Sequence, residues 1–438
     1  MNNARATRRQ FLQTGAAAAG ALSVPYFVPA SALGLEDKPA ASDRIVMGWI
    51  GTGGQGRGLL NGFMGQPEVQ VVSVCDVDAG RMNQARDMVH QKYGNQDCQT
   101  FADFRKLLEN ADIDAVCVAT PDHWHALASI AAANAKKDIY CEKPLVNSIV
   151  EGRAVCRAVE ANARVLQTGS HERSGDNARY ACELVRNGRI GKLHTIRINL
   201  PCSDGHHQQV RALQEVPPPM PVPEGFDYNF WLGHTAEVPY TERRCHFWWR
   251  FILAYGGGEM TDRGAHVIDI AQLGNGTDDT GPVEISATGA QSKTSLYDAF
   301  FDYKFENVYA NGVRMIGSTE EPRGLKFEGA DGWIFVEIHG GRLEASKPEL
   351  LKEKIGEGEI QLGRSPGHQR NFLDSVKSRQ QPVASAEIGH RTASVCHLNN
   401  IAMQLGRKLK WDPAKEQFEG DDEANGLLSP VMRSPWQL

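Results

Sequence analysis

The stretch that most restricts the fold is "RIVMGWIGTGGQG", a short apolar run that turns abruptly into the glycines Gly51, Gly53, Gly54 and Gly56. Leu59, Leu60 and Phe63 follow in a helical segment, and "VQVVSVCDVD" is a second run rich in β-branched residues. A strand that feeds a glycine turn, a helix and another strand opens a parallel sheet with crossover helices. The alternation continues: "IDAVCVAT" and "DIYCE" flank the alanine-rich helix "HWHALASIAAANA", and "LVNSIVEGRAVCRAVEANA" leads into "RVLQTG". The expected fold class is α/β, with an N-terminal Rossmann dinucleotide-binding domain over 44–169.

Beyond about Ser170 the pattern changes. "ARYACELVRNGRIGK" reads as a helix closed by Gly188, and "LHTIRINL" as a strand. The segment Pro217 to Gly225 is stiff and polyproline-like, unsuited to a sheet centre. Between Val283 and Leu343 the alternating stretches "VEISATGA", "AFFDYKF" and "GWIFVEI" predict a large, mostly antiparallel open sheet. Helices return from about His368, so 170–438 reads as an α+β substrate and oligomerisation domain whose C-terminal helices pack back.

Composition excludes some classes of function. A formal charge of -6 gives no basic footprint for nucleic acid. No apolar run is long enough to span a bilayer. The N-terminus, "TRRQFLQTGAAAAGALSVPYFVPASALG", pairs Arg8 and Arg9 ahead of Phe11, Leu12 and a mild apolar stretch, and ends in Ala30-Ser31-Ala32. This reads as a twin-arginine export signal over 1–32, cut after Ala32 and followed by a linker over 33–43. The expectation is an exported, periplasmic protein with no membrane anchor once the signal is removed. The nine cysteines show no paired spacing, and Cys75, Cys117 and Cys141 sit inside strand-like runs as small buried hydrophobes.

The glycines suit a dinucleotide. They allow the tight turn, the approach of backbone to a pyrophosphate and close helix–strand packing, while the helix N-terminus offers free N–H groups. Asp76 lies 20 residues beyond Gly56, where the ribose-binding carboxylate of that fingerprint belongs. It favours NAD over NADP; Arg57 and Arg81, close in sequence, soften the preference. "ATPDHWHA" falls at the end of another strand, so Thr120 and Pro121 are expected to line the cofactor. His123 and His125 read as packing groups rather than metal ligands, and no metal is expected. The full expected cofactor set is Gly51, Gly53, Gly54, Gln55, Gly56, Asp76, Thr120, Pro121, His125, Glu142 and Lys143.

Together "GTGGQG", "CDVD", "ATPDHWHA" and "CEKPL" resemble the glucose–fructose oxidoreductase and inositol dehydrogenase (Gfo/Idh/MocA) family. The resemblance runs on through "NGRIGKL" and "GGGEMTDRGAHVIDIAQ", and "GHRTASVCHLNNIAMQLGRKLKWDP" is similar to exported bacterial members. It implies a Rossmann domain beside an α/β domain whose open sheet mediates dimers or tetramers, and substrates that are sugars, polyols or their derivatives. It also implies that Lys143 contacts the reacting hydroxyl, that Asp262 and His266 complete the catalytic site, and that the Lys143–Pro144 bond is cis. His266 is favoured as proton acceptor with Lys143 orienting the oxygen, and the opposite assignment stays open. Arg173, in "GSHERSG", occupies the place of a basic or polar substrate contact.

"NFWLGHTAEVPYTERRCHFWWRF" gathers Trp231, Tyr240, His246, Phe247, Trp248, Trp249 and Arg250 ahead of "GGGEM". Trp248 and Arg250 are the expected substrate contacts, against a core reading for the cluster as a whole. His206 and His207 are expected on a solvated loop. Three functions remain: an NAD(P)-dependent sugar or polyol oxidoreductase, a glycosidase working through transient oxidation, and a non-catalytic sugar-binding relative. Export favours a tightly held, self-regenerating cofactor in the first two.

Overall fold

The structure is a computed structural model that describes residues 39–438; the export signal expected over 1–32 and the first part of the expected linker, 33–38, lie outside the described residues. A short 3₁₀ turn, Ala41–Asp43, belongs to a first unit that ends at Arg44, and a second unit runs from Ile45 to Leu438.

The first half of this second unit alternates β1 (Ile45–Ile50), α1 (Gly54–Met64), β2 (Val69–Cys75), α2 (Ala79–Tyr93), β3 (Gln99–Phe101), α3 (Phe104–Leu108), β4 (Ala115–Val118), α4 (Asp122–Asn134), β5 (Asp138–Cys141), α5 (Ile149–Ala161) and β6 (Leu166–Thr168). The six strands pair in parallel in the order β3-β2-β1-β4-β5-β6. This is the dinucleotide-binding arrangement, and it reverses direction between β1 and β4, where the carboxyl ends of the strands leave a crevice. β4 and β5 are buried at every position, as parallel strands covered on both faces must be. Asp78, Asp103 and Ser148 cap α2, α3 and α5 with their side chains, each accepting from a first-turn N–H.

The second half supplies α6 (Asp176–Arg186), β7 (Leu193–Asn199), α7 (Gly205–Ala212), α8 (Tyr228–Leu232), α9 (Glu259–Asp262), α10 (Gly264–Asn275), β8 (Glu284–Ala290), β9 (Phe301–Val308), β10 (Arg314–Ser318), β11 (Gly324–Gly329), β12 (Gly332–Glu337), β13 (Leu343–Ala345), α11 (His368–Ser378), α12 (Ala386–Leu405), β14 (Leu409–Asp412), β15 (Gln417–Phe418) and α13 (Asp422–Asn425). Its nine-stranded sheet runs β13-β12-β11-β7-β10-β9-β8-β14-β15 and is antiparallel except between β7 and β10. In β9, Phe301, Tyr303, Phe305 and Asn307 point inward while Asp302 and Lys304 point out, the alternation of a sheet with one covered face. α10, buried along nearly its whole length, covers the inner face.

The two halves share a seam. Phe372 of α11 meets Phe63 and Tyr140 of the first half at ring centroid distances of 6.0 and 5.8 Å, and α12 packs on α5, α10 and β8. α12 is buried along nearly its whole length, as a helix between two layers is, with His390, His397, Asn399 and Asn400 among its buried residues. Fully burying a side chain such as Phe372 contributes about 1.5–3 kcal/mol. His206 and His207 correct one expectation: they lie on α7, where Asp204 and His207 form a reciprocal N-terminal cap, not on a loop. Nine free, buried cysteines match the reading of cysteine as a core residue. Among the described residues no helix is long and apolar enough to cross a membrane.

Candidate active site

The strand ends of the first sheet and the loops of the second half enclose a cavity of about 670 Å³, within the usual range for small-molecule sites. On its floor the chain leaves β1 through Gly51 at φ +91°, and a Cβ there would stand 2.5 Å from the Ala119 carbonyl oxygen. A Cβ on Gly56 would stand 2.3 Å from the Gly51 oxygen. Gly54 opens α1 with nothing within 4 Å of its side-chain position, so the helix N-terminus faces open space that a phosphate fits. Asp76 closes this end. Its Oδ2 accepts from the Thr52 N–H at 2.7 Å and the Thr52 hydroxyl at 2.9 Å, and its Oδ1 accepts from the Asp78 N–H at 3.0 Å. The carboxylate is therefore locked to the glycine loop, with lone pairs left for ribose hydroxyls. These residues fit a dinucleotide. Arg81 also lines the cavity, whereas Arg57 turns back to donate to the Thr52 carbonyl at 2.6 Å.

At the other end β5 delivers Glu142 and Lys143, followed by a cis Lys143–Pro144 bond. Lys143 Nζ donates to Asp262 Oδ1 at 2.5 Å and to the Asp262 carbonyl at 2.9 Å. Burial works against this ammonium, but Asp262, Glu142 and Asp122 outweigh it and raise the Lys143 pKa. Burial also opposes the Asp262 carboxylate, yet Lys143 and Arg250 hold its pKa well below the usual range. His266 lines the same wall and is 4% exposed. Burial first, then Lys143 and the rings of His171 and His339, push its pKa well down, which keeps the imidazole neutral. The pair is thus a charged donor beside a neutral acceptor. α9 ends at Asp262 and α10 begins at Gly264, and both side chains still reach one cavity.

Two family models match the chain: the oxidoreductase family NAD-binding Rossmann fold over residues 45–170, and the oxidoreductase family C-terminal alpha/beta domain over residues 177–438. The chain belongs to the Gfo/Idh/MocA family. Its first domain is the NAD-binding Rossmann domain of Gfo/Idh/MocA proteins. Over 155 residues it is 32% identical to the uncharacterised oxidoreductase YrbE of Bacillus subtilis, covering 35% of this chain and 44% of that protein. It is 31% identical over 198 residues to a glycosyl hydrolase family 109 protein of Stenotrophomonas maltophilia, covering 42% and 40%. It is 29% identical over 167 residues to the inositol 2-dehydrogenase of Salmonella typhimurium, covering 38% and 46%. The chain spans less than half the length of these relatives. Among solved structures, the WlbA dehydrogenase of Bordetella pertussis, crystallised with NADH and UDP-GlcNAcA, shares the fold at TM-score 0.62 and 14% identity, covering 84% of this chain and 99% of that one. The myo-inositol 2-dehydrogenase of Lactobacillus plantarum does so at TM-score 0.58 and 18% identity, covering 84% and 99%.

Of the residues expected from sequence, Gly51, Gly53, Gly54, Gln55, Gly56, Asp76, Thr120, Pro121, His125, Glu142, Lys143, Arg250, Asp262 and His266 all line this Gfo/Idh/MocA cavity. Glu142 holds Gln55 through Nε2 at 3.1 Å, so it links the glycine loop to the lysine loop. His125 has its Nδ1 2.7 Å from the Pro144 carbonyl and its Nε2 3.0 Å from the Thr120 carbonyl. It tethers two cavity loops rather than presenting a free nitrogen. His123 is fully buried, with Nε2 on the Trp231 carbonyl at 2.9 Å.

Two expected substrate contacts are corrected. Arg173 is buried beneath the site: Nε donates to Asp269 Oδ2 at 2.7 Å, and its other nitrogens clasp Asp278 at 2.9 and 2.7 Å. A guanidinium this deep needs two carboxylates to offset its desolvation, so it braces α10 instead of meeting a ligand. Trp248 points away, stacked against Arg243 and near Tyr297; its neighbour Trp249 lines the cavity, with the Arg250 guanidinium 4.7 Å from its ring centroid. Asp122, His171, Arg263 and His339 also line the cavity and are not singled out by the sequence reading. Asp122 lies inside the motif "ATPDHWHA", and His171 two residues from Arg173. Burial raises the Asp122 pKa well above the carboxylate range, against the pull of Lys143.

Proposed function

We propose that this chain oxidises a secondary hydroxyl of a sugar, polyol or sugar derivative at the expense of tightly held NAD. The observation that carries the reading is the single cavity in which Lys143, Asp262 and His266 face the glycine loop and Asp76. When bound, NAD supplies the acceptor for the hydride that leaves the carbinol carbon. The chain supplies the rest. The Lys143 ammonium donates a hydrogen bond to the substrate oxygen and stabilises its developing negative charge. Asp262 keeps Lys143 charged and oriented through the contact at 2.5 Å. His266, neutral and beside them, accepts the hydroxyl proton. The Trp249 face and Arg250 bound the space left for a ring-shaped substrate.

Likeness to inositol 2-dehydrogenases supports a polyol substrate. Likeness to the family 109 glycosyl hydrolases supports a second reading, in which the same oxidation permits elimination of an aglycone and is then reversed. Arg8, Arg9 and the Ala30-Ser31-Ala32 ending support export, and homo-oligomers through the open sheet are part of the proposal.

Purified protein incubated with a panel of sugars, polyols and chromogenic glycosides tests it. NADH absorbance without aglycone release supports the oxidoreductase. Aglycone release at constant NADH supports the glycosidase in its place. Failure of the protein to bind NAD refutes both and leaves a non-catalytic sugar-binding protein.

A further inference from the structure

His171, His266 and His339 reach the cavity wall from three separate parts of the chain: the turn after β6, the first turn of α10, and the turn between β12 and β13. One ring nitrogen of each lies within 4.8 Å of one from each of the others. The His171 and His339 ring centroids stand 4.7 and 4.6 Å from that of His266, and the two outer rings stack at 18°. His266 is 4% exposed, and its Nδ1 has no hydrogen-bond partner among the described residues. A desolvated ring nitrogen without a partner is costly unless a ligand completes it.

Glu172 lies beside both outer rings. Its Oε1 lies 3.5 Å from His171 Nε2 and 3.8 Å from His339 Nε2, and it accepts from the His339 backbone N–H at 3.1 Å. A carboxylate in this place is what metal-binding histidines use to fix tautomer and ring orientation. Three imidazoles with an open side toward a cavity make a zinc-type site, and imidazole suits the later first-row divalent ions. Bonds of about 2.0–2.1 Å in a tetrahedral site hold nitrogens about 3.3 Å apart, so the rings must close by at most about 1.5 Å. His171 and His339 have the room, with side chains 50% and 32% exposed. The nearby Lys143 charge is offset by Asp262.

We propose that His171, His266 and His339 bind a divalent transition-metal ion, and that the bound ion stops oxidation by occupying the nitrogen of His266 that would accept the proton. The second half rests on the function proposed above; the first half does not.

The other gathering of ligand-type residues, Asp204, His206 and His207, behaves differently. His207 Nδ1 accepts from the Asp204 N–H at 3.1 Å, so the ring proton sits on Nε2, which donates to Glu259 Oε1 at 2.5 Å. A neutral His207 then has no lone pair left at Nε2 for an ion. His206 therefore serves as the control position.

Cobalt(II) titration of the purified protein, read by its visible bands, tests the site. We expect one equivalent bound with the intense bands of a four-coordinate ion, affinity weakened at least about tenfold in H171A and in H339A, and no change in H206A. With any substrate that the panel turns over, NADH formation should fall in step with cobalt occupancy and return on chelation. Absence of the bands, or bands that persist in both H171A and H339A, overturns the site. A filled site with undiminished NADH formation overturns the shut-off alone.

Discussion

Replacing Lys143 by methionine removes the ammonium and keeps a stem of similar shape up to Cε. Two hydrogen bonds to Asp262, at 2.5 and 2.9 Å, are lost. Bonds to charged groups contribute about 1.5–3 kcal/mol, but Asp262 retains Arg250 Nε at 3.6 Å and faces a cavity that water can enter. We expect a stability loss of at most about 2 kcal/mol, a fall of at most about 2–3 °C in Tm, because an unfolding entropy of about 2.1 cal/mol/K per residue over roughly 400 residues gives about 1.2 °C per kcal/mol. The reaction suffers more. Losing one donor to a developing oxyanion costs about 10²–10³ in rate, or about 2.7–4 kcal/mol. Gly51, Gly54, Gly56 and Asp76 are untouched, so nucleotide binding should persist. The assay is single-turnover reduction of NAD by a panel substrate, with bound nucleotide released by heat and quantified. The expected variant is folded, loaded and at least about 100-fold slower. A rate within about threefold of the parent, well short of that loss, refutes the role of Lys143. In the K143M/D262N double variant the second change should add little, because the two residues act as one unit.

Gly56→Ala should abolish NAD binding, because its Cβ would stand 2.3 Å from the Gly51 oxygen; isothermal titration with NAD checks this. Asp76→Ala should erode the preference for NAD over NADP, since the carboxylate that repels a 2′-phosphate is gone; the ratio of the two dissociation constants reads it. Arg173→Met should lower stability by about 3–5 kcal/mol, because it strands the buried Asp269, while titration of the folded variant shows NAD affinity unchanged. For Glu387, burial raises the pKa but Arg153 and Arg391 prevail and set it at about 2, against 4.5 for the free group. A depressed carboxylate stabilises above its unfolded pKa and loses that contribution as pH falls, so thermal melts should show stability lost between about pH 4.5 and 2, less steeply in E387Q.

The Rossmann half is legible in sequence because parallel strands covered on both faces must be apolar at every position, and β4 and β5 are. β3 is not: "QTF" is short, mostly exposed and at the sheet edge, so burial imposes no pattern on it. Lys143 and Asp262 stand out because their chemistry is announced by local motif. His339 does not, since it enters from a turn between two strands of the distant sheet, and only tertiary structure brings it to His266. Arg173 shows the converse. In the 3₁₀ turn His171–Ser174, residues two apart point about 120° apart around the axis, so His171 meets the cavity while the charged side chain that looks functional turns to Asp269. His207 reads as loop because an Asp-x-x-His cap lacks the Ser/Thr-x-x-Glu signature of helix starts.

A crystal structure with bound NAD tests the central claim most directly. The pyrophosphate is expected over Gly54, the ribose at Asp76, and the nicotinamide C4 facing Lys143 and His266 with space for one carbinol carbon between them. A nicotinamide ring turned away from Lys143 and His266, with those side chains shielded from it, would contradict their role in hydride and proton transfer.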